Sequence, residues 1–347
     1  MQSDLSDFQL IESPNIVVKA GKQRLVFDPN KTLSNLHSKN NITCISHAHS
    51  DHTAGFQSAL RKIVTPATLD IYRTIRKKPH NVQPIVPGAS ISLEDTGSLS
   101  IQLAGHMLGA AQFILERNGK RLVFTGDFNL SSSLTTEGAT PIPCDVLLME
   151  ATYGRPDALF PPREQVYSEI AEWVSQKLKT KQIPLFQVYA AGKAQEVIRI
   201  LNTFLTIPVV VDSTIAKIAQ VYQNHGIPLG YLADNTPEGQ EVITHGECAY
   251  LTSKRNQQPR TLRGRKFARA VTTGWAKLFP MKNVDKSFVL SAHADFQQLV
   301  DYVKIAKPRS VFVTTGNRVT FGAVLEKLNI KQLVPQRRPQ MELVDFI

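Results

Sequence analysis

The chain has 347 residues, of which 42% are hydrophobic, and 40 Lys and Arg against 29 Asp and Glu leave a formal net charge of +11. At roughly 150 residues per domain this length suggests two domains; no apolar run approaches the roughly 18 residues of a membrane helix, and the acidic start, Met1 to Asp7, does not read as a secretory leader, so a cytoplasmic protein with no membrane partner is expected. Cys44, Cys144 and Cys248 are widely spaced and form no C-x-x-C pair, which argues against a disulfide framework or a cysteine metal site, while the basic excess favours a polyanionic partner without identifying it.

Short β-branched runs alternate with helical patterns along the chain, the grammar of an α/β layered protein. Residues 16–18 and 25–27 flank a Gly21-Lys22 turn and read as a hairpin. Residues 112–116 and 121–125 form a second one around Asn118-Gly119, a pair suited to a turn with two positive φ angles. Residues 146–149 are a buried-strand run. After Tyr153-Gly154 a helix opens at Pro161-Pro162 with Val166, Ile170, Trp173, Val174 and Leu178 on one face. Strands at 185–189 and 209–211 follow, with helices at about 193–205 and from Ser213. Residues 254–277 are basic and polar and read as a loop or cap element. From Ser287 the β-α-β pattern resumes, with strands at 288–290 and 311–313.

The strongest chemical signal is Ser46-His47-Ala48-His49-Ser50-Asp51-His52, placed directly after the strand-like residues 42–45. Side chains at i and i+2 of an extended segment point the same way while the next positions turn toward a neighbouring site, so one loop can serve two metals. Neutral imidazole and carboxylate are ligands that zinc accepts. A chance H-x-H-x-D-H in a chain of this composition has odds of roughly a few in ten thousand. Ala104-Gly105-His106 and Thr125-Gly126-Asp127 stand at successive strand ends and add a third imidazole and a carboxylate able to bridge.

With these motifs the chain resembles the metallo-β-lactamase superfamily, and within it the β-CASP nucleases. Residues 148–154 look like that branch's first motif, with Glu150 as its acid; residues 290–295 look like its second, with His293; and Gly192-Lys193-Ala194-Gln195-Glu196 is similar to a segment of its inserted cap. Residues 104–128 are more similar to cleavage-factor endonucleases and small ligase-associated exonucleases than to the crosslink-repair members. One feature departs from the pattern: the third-motif histidine, 22 positions after the second, is here Thr315.

The resemblance implies an α/β fold, a four-layer αββα sandwich formed by residues 1–155 and 285–347, with an α/β cap inserted over 156–284. It implies a zinc-dependent exo- or endonuclease cutting single-stranded RNA or DNA by a zinc-activated hydroxide. One Zn2+ takes His47, His49, His106 and Asp127; the other takes Asp51, His52 and the shared Asp127, weakened by Thr315, with Mn2+ as an alternative metal. Asp51 orients the attacking group, and Glu150 holds His293 as acid or charge stabiliser. Lys193 together with Lys254, Arg255, Arg260, Arg263, Arg265, Lys266 and Arg269 are the expected phosphate contacts, and Arg73, Arg76, Lys77 and Lys78 form a second basic stretch. A homodimer and a ligase or processing-complex partner both stay open. So do two other readings: a non-catalytic nucleic-acid scaffold, and a small-molecule metallo-hydrolase, which has no use for Glu150, His293 or a basic insertion.

Overall fold

The computed structural model describes residues 7–13, 15–30, 41–76, 78–93, 97–254, 257–333 and 336–337. Their strands form three sheets. The first runs, edge to edge, Gln336–Arg337, Gln9–Ser13, Asn15–Ala20, Gln23–Phe27, Asn41–Cys44, Arg61–Val64 and Val82–Pro84. The second runs Lys331–Gln332, Ser310–Gly316, Val146–Ala151, Lys120–Phe124, Ala111–Arg117, Gly97–Leu103 and Ser90–Leu93. Both expected hairpins are present as antiparallel pairs. At the second, Asn118 and Gly119 have φ of +49° and +74°, the two positive angles that a two-residue turn matching the strand twist requires.

Period-two alternation explains how these sheets stack. Leu25, Phe27, Ile42 and Cys44 point from the first sheet into a shared core with Leu99, Phe113, Leu122, Phe124 and Leu148 of the second. Their neighbours in sequence point away. Val123, Leu147, Met149 and Val311 leave the second sheet on its other side to meet Leu299 and Val303 of helix Phe296–Ala306 and Phe321 and Leu325 of helix Arg318–Lys327. On the outside of the first sheet, Ile45 and Val64 pack with Phe56 and with Leu69 and Tyr72 of helix Pro66–Ile75, the Phe56 and Tyr72 rings stacked at 3.9 Å. The result is helix, sheet, sheet, helix: the four-layer sandwich.

The third sheet is separate, in the order Leu232–Ala233, Val209–Val211, Ala249–Thr252, Ile183–Gln187, Phe267–Thr272 and Lys286–Phe288, every neighbouring pair parallel. Helices Arg163–Lys179, Lys193–Phe204 and Ser213–Asn224 pack on it through Val174, Val197 and Ile218. Phe267–Thr272 lies inside the stretch read as a loop or cap element: its buried positions are Ala268, Ala270 and Thr272, too small or too polar to mark a strand by hydropathy. The strand expected at 288–290 sits earlier, at Lys286–Phe288, so this sheet extends past the boundary expected at 284. Because all its strands run one way, their C-terminal ends and the turns after Gln187, Thr252 and Thr272 emerge together at one end.

Candidate metal centre

The strand Asn41–Cys44 delivers the histidine loop to the open end of the sandwich, where four donor atoms of His47, His49, His106 and Asp127 lie within 4.8 Å of one another. His49 Nδ1 is 3.0 Å from His47 Nε2 and 3.1 Å from His106 Nε2, and Asp127 Oδ2 is 3.5 Å from His47 Nε2. Gly126, at φ +56°, permits this approach, since a Cβ there would come within 2.6 Å of Ser46 Cβ. Burial keeps His47 and His106 well below the ordinary imidazole value, and His49 below it. The rings are neutral.

Their tautomers follow from their outer partners. His49 Nε2 faces the Ala191 carbonyl at 3.1 Å and His106 Nδ1 faces the Ala292 carbonyl at 3.0 Å; a carbonyl only accepts, so each of these nitrogens carries the proton. Ser46 donates its hydroxyl to the Asp28 carboxylate and therefore accepts from His47 Nδ1 at 2.9 Å. Three unprotonated nitrogens are thus aimed at one another. Lone pairs in that arrangement repel unless a cation lies between them, and ligand atoms around a tetrahedral zinc are about 3.3 Å apart for bonds of 2.0–2.1 Å. The donor set fits a metal.

His52 belongs to a second cluster. Its Nδ1 donates to Asp28 Oδ2 at 2.8 Å, so Nε2 turns its lone pair toward Asp127 Oδ2 at 3.3 Å and Asp51 Oδ2 at 3.5 Å. Burial lowers the basicity of this ring, but the Asp127 and Asp28 carboxylates together lift it well above the ordinary value. The Asp51 side chain is 78% exposed. Asp51, His52 and Asp127 line a cavity of about 260 Å³ together with Asp28, Thr314, Thr315 and Arg318, so Thr315 borders the same cavity as this cluster. Asp28 is the residue that sequence reasoning missed: its one signal is an acid at a strand end, in Phe27-Asp28-Pro29. It accepts from Ser46 N at 2.7 Å, from Ser46 Oγ and from His52, and through them it sets the tautomers of His47 and His52.

Glu150 ends the strand Val146–Ala151, fully buried, and both its oxygens lie 3.0 Å from His293 Nδ1. Burial would favour a neutral ring, yet Glu150 and Asp127 raise His293 to about 9, an imidazolium at neutral pH. Glu150 also accepts from Phe128 N at 2.9 Å, which steadies the Asp127 turn. A cavity of about 180 Å³ opens over these groups, walled by His49, Asp51, His106, Asp127 and His293 on the sandwich side and by Tyr189, Gly192, Lys193, Thr273 and Trp275 from the third-sheet region.

The expected phosphate contacts are not brought together. Lys193 reaches the cavity, but its ammonium is buried and paired with Glu196 at 3.0 Å; Glu196 also holds Arg163, which donates to the Ser291 carbonyl at 2.7 Å. This buried network clamps the cap to the loop carrying His293. Arg263, Arg265 and Lys266 are exposed, but they precede the strand Phe267–Thr272, whose other end reaches the cavity, so they lie at the far end of the third sheet. Arg260 is exposed on the turn before them, and Arg269 lies midway along the strand with its guanidinium over the Phe267 ring. Lys254 is exposed at the near end, just after Thr252. In the second stretch, Arg73 ends helix Pro66–Ile75 beside Asp70, 3.9 Å away, and Arg76 caps that helix. Arg255 and Lys77 lie outside the described residues.

Comparison with known proteins agrees with this geometry. Residues 14–177 match the β-lactamase superfamily domain, and residues 284–334 match the Zn-dependent metallo-hydrolase RNA specificity domain. A probable DNA ligase of Opitutus terrae is 30% identical over 306 residues, which cover 86% of this chain and 29% of that protein. An RNase J-like protein of Methanocaldococcus jannaschii is 26% identical over 67% of this chain and 68% of its own length, and cleavage and polyadenylation specificity factor 73 of Drosophila melanogaster is 25% identical over 79% and 52%. The chain therefore spans under a third of the ligase and about half to two thirds of the other two. A crystal structure of a protein of unknown function from Enterococcus faecalis V583 shares the fold, with a TM-score of 0.65 at 15% identity over 95% of this chain and 97% of that one. By its matched domains, its relatives and its architecture, the chain belongs to the metallo-β-lactamase superfamily, in the β-CASP nuclease branch.

Proposed function

We propose that the chain is a zinc-dependent nuclease acting on single-stranded RNA or DNA, with residues 1–155 and 289–347 as a discontinuous catalytic unit and 156–288, whose last strand is Lys286–Phe288, as its cap. One observation carries this reading: a cavity between sandwich and cap opens onto His49, His106 and Asp127, which with the buried His47 form a cluster of converging imidazole lone pairs, next to a carboxylate-backed imidazolium, His293. His47, His49, His106 and Asp127 would hold one zinc, and Asp51, His52 and Asp127 a second, weaker one, where the oxygen-rich set also suits manganese. A bound pair supplies Lewis-acid activation of water and of the phosphate oxygens. The exposed Asp51 carboxylate accepts a hydrogen bond from the attacking water and orients it. His293, kept protonated by Glu150, donates to the phosphate oxygens or to the leaving oxygen. The nuclease names of several relatives support a nucleic-acid substrate, and the ligase match supports DNA alongside RNA. Three free cysteines suit a reducing, cytoplasmic setting.

The test is cleavage of end-labelled single strands of RNA and DNA of equal length by the purified protein with zinc or manganese. Cleavage should vanish, together with bound metal, in Asp127→Ala. Metal-loaded protein that binds a strand without cutting it would replace this reading with that of a non-catalytic scaffold.

A further inference from the structure

Aromatic side chains gather at the mouth of the cavity in a way that the metal chemistry does not require. The exposed aromatics among the described residues are Tyr189 at 52%, Phe204 at 45%, Trp275 at 39% and Phe279 at 48%. All but Phe204 gather here: Tyr189 and Trp275 line the cavity, and Phe279 stacks on Trp275 at 6.0 Å with the rings 30° apart. A line of ring contacts runs across the site, from Tyr189 to His49 at 6.0 Å, through His106 to His293, on to Tyr153 at 6.1 Å, and from Tyr153 to Trp275 at 4.9 Å. Tyr189 and Trp275 both stand on the wall of the cavity that the third sheet supplies, on the turns after its neighbouring strands Ile183–Gln187 and Phe267–Thr272.

The Trp275 position is built. Thr273 Oγ1 accepts from Trp275 N at 3.3 Å, and Gly274 is pressed so closely onto Tyr153 that a Cβ there would fall 2.5 Å from the Tyr153 hydroxyl and 2.7 Å from the Phe160 ring. Tyr153 and Phe160 pack edge to face at 4.8 Å and hold this seat. A flat, partly exposed ring fixed from behind and set beside a phosphodiester site is the form of a base-stacking platform, because every base has a π face and the ring need not read its edges.

Resting on the nuclease reading above, we propose that Trp275, backed by Phe279 and with Tyr189 on the same wall of the cavity, stacks an unpaired nucleobase adjacent to the scissile phosphate. Bases within a duplex already stack on their neighbours and cannot reach the platform, so it selects single strands. Trp173, the second of the two tryptophans, is buried against Phe186 and Phe288 and does not line the cavity, so it can be replaced without touching the platform.

The experiment uses the metal-loaded protein carrying Trp173→Phe, so that Trp275 is the only tryptophan, titrated with a phosphorothioate single strand that resists cleavage. Tryptophan emission should quench to saturation, and duplex of the same sequence should quench it weakly. Trp275→Ala should weaken single-strand binding about 5- to 100-fold, read by fluorescence anisotropy of a labelled strand, and Trp275→Phe should retain most of it. Removing one base from the strand at the stacked position should cost wild type the same factor and cost Trp275→Ala almost nothing more. Gly274→Ala, which displaces the seat without removing the ring, should reduce both quench and affinity. Binding of the intact strand by Trp275→Ala within twofold of wild type, or absence of quench at saturation, overturns the platform even if the protein cuts nucleic acid. Quench with the expected abasic effect but no cleavage of any strand upholds the platform and removes the nuclease reading instead.

Discussion

Replacing Asp28 by asparagine changes one oxygen for an amide group and should disturb both halves of the metal centre. Asp28 Oδ1 accepts from Ser46 N, while Oδ2 accepts both from the Ser46 hydroxyl and from His52 Nδ1 at 2.8 Å. An asparagine that keeps its carbonyl on Ser46 N turns its amide toward the other two groups. His52 must then accept at Nδ1, which places a proton on Nε2, the nitrogen facing Asp127 and Asp51. Ser46, now accepting from the amide, is free to donate to His47 Nδ1, which puts a proton on the nitrogen facing His49. Loss of an outer partner of a metal ligand typically costs 10- to 100-fold in metal affinity or activity, about 1.4–2.8 kcal/mol at 1.4 kcal/mol per tenfold. The effect should reach the upper end at the site of His52, which Asp28 touches directly, and about tenfold at the site of His47, which it reaches through Ser46. Calorimetric titration of zinc into metal-free protein separates the two sites. Ser46→Ala should weaken only the three-histidine site. Asp28→Asn protein that binds zinc and turns over as wild type does would refute the tautomer argument.

His293→Ala should lower turnover about 10²-fold or more, the scale of general acid–base catalysis, while zinc content by atomic emission stays unchanged; loss of zinc would make His293 a ligand instead. Thr315→His should tighten the weaker of two zinc sites in the same titration, because it adds an imidazole to the cavity holding Asp51, His52 and Asp127; unchanged affinity would mean that Thr315 does not face the metal. Arg263→Ala combined with Arg265→Ala should leave the affinity for a short single strand of a few nucleotides within about twofold, since these residues lie at the far end of the cap sheet, and should flatten the salt dependence only for strands long enough to reach them.

The histidine cluster was legible because His47, His49, Asp51 and His52 are nearly contiguous, so the local pattern carries the geometry. Asp28 was not, since its role depends on Phe27 pairing with Cys44 across two parallel strands, and nothing near Asp28 in the chain announces a partner 24 positions away. Lys193 looked like a phosphate contact because a basic residue after glycine at a helix start is open to that reading. The buried pairing that occupies it requires Glu196 one turn on and Arg163 from another helix. The run of positive charge near residue 260 was visible as composition, but its direction was not. Which end of the sheet it occupies is set by the strand Phe267–Thr272, and alternation built on alanine leaves that strand faint. The Thr315 departure was visible against the family pattern, whereas the cavity it lines is a property of five separated segments.

The carbonyls that fix two of the metal-facing imidazoles come from late in the chain: Ala191 holds His49, and Ala292 holds His106. Every expected ligand has been synthesised by residue 127, yet a nascent chain of that length has nothing to tell His49 or His106 which nitrogen to protonate. Both rings would then divide their time between a ligating form and a blocked one. Tight metal binding should therefore require the Ala191 and Ala292 carbonyls to be in place, so that metal retention would report completed assembly rather than the mere presence of the motif. A chain ending before residue 290 lacks Ser310–Gly316 of the second sheet as well as the Ala292 carbonyl, and should hold zinc far more weakly than the whole chain.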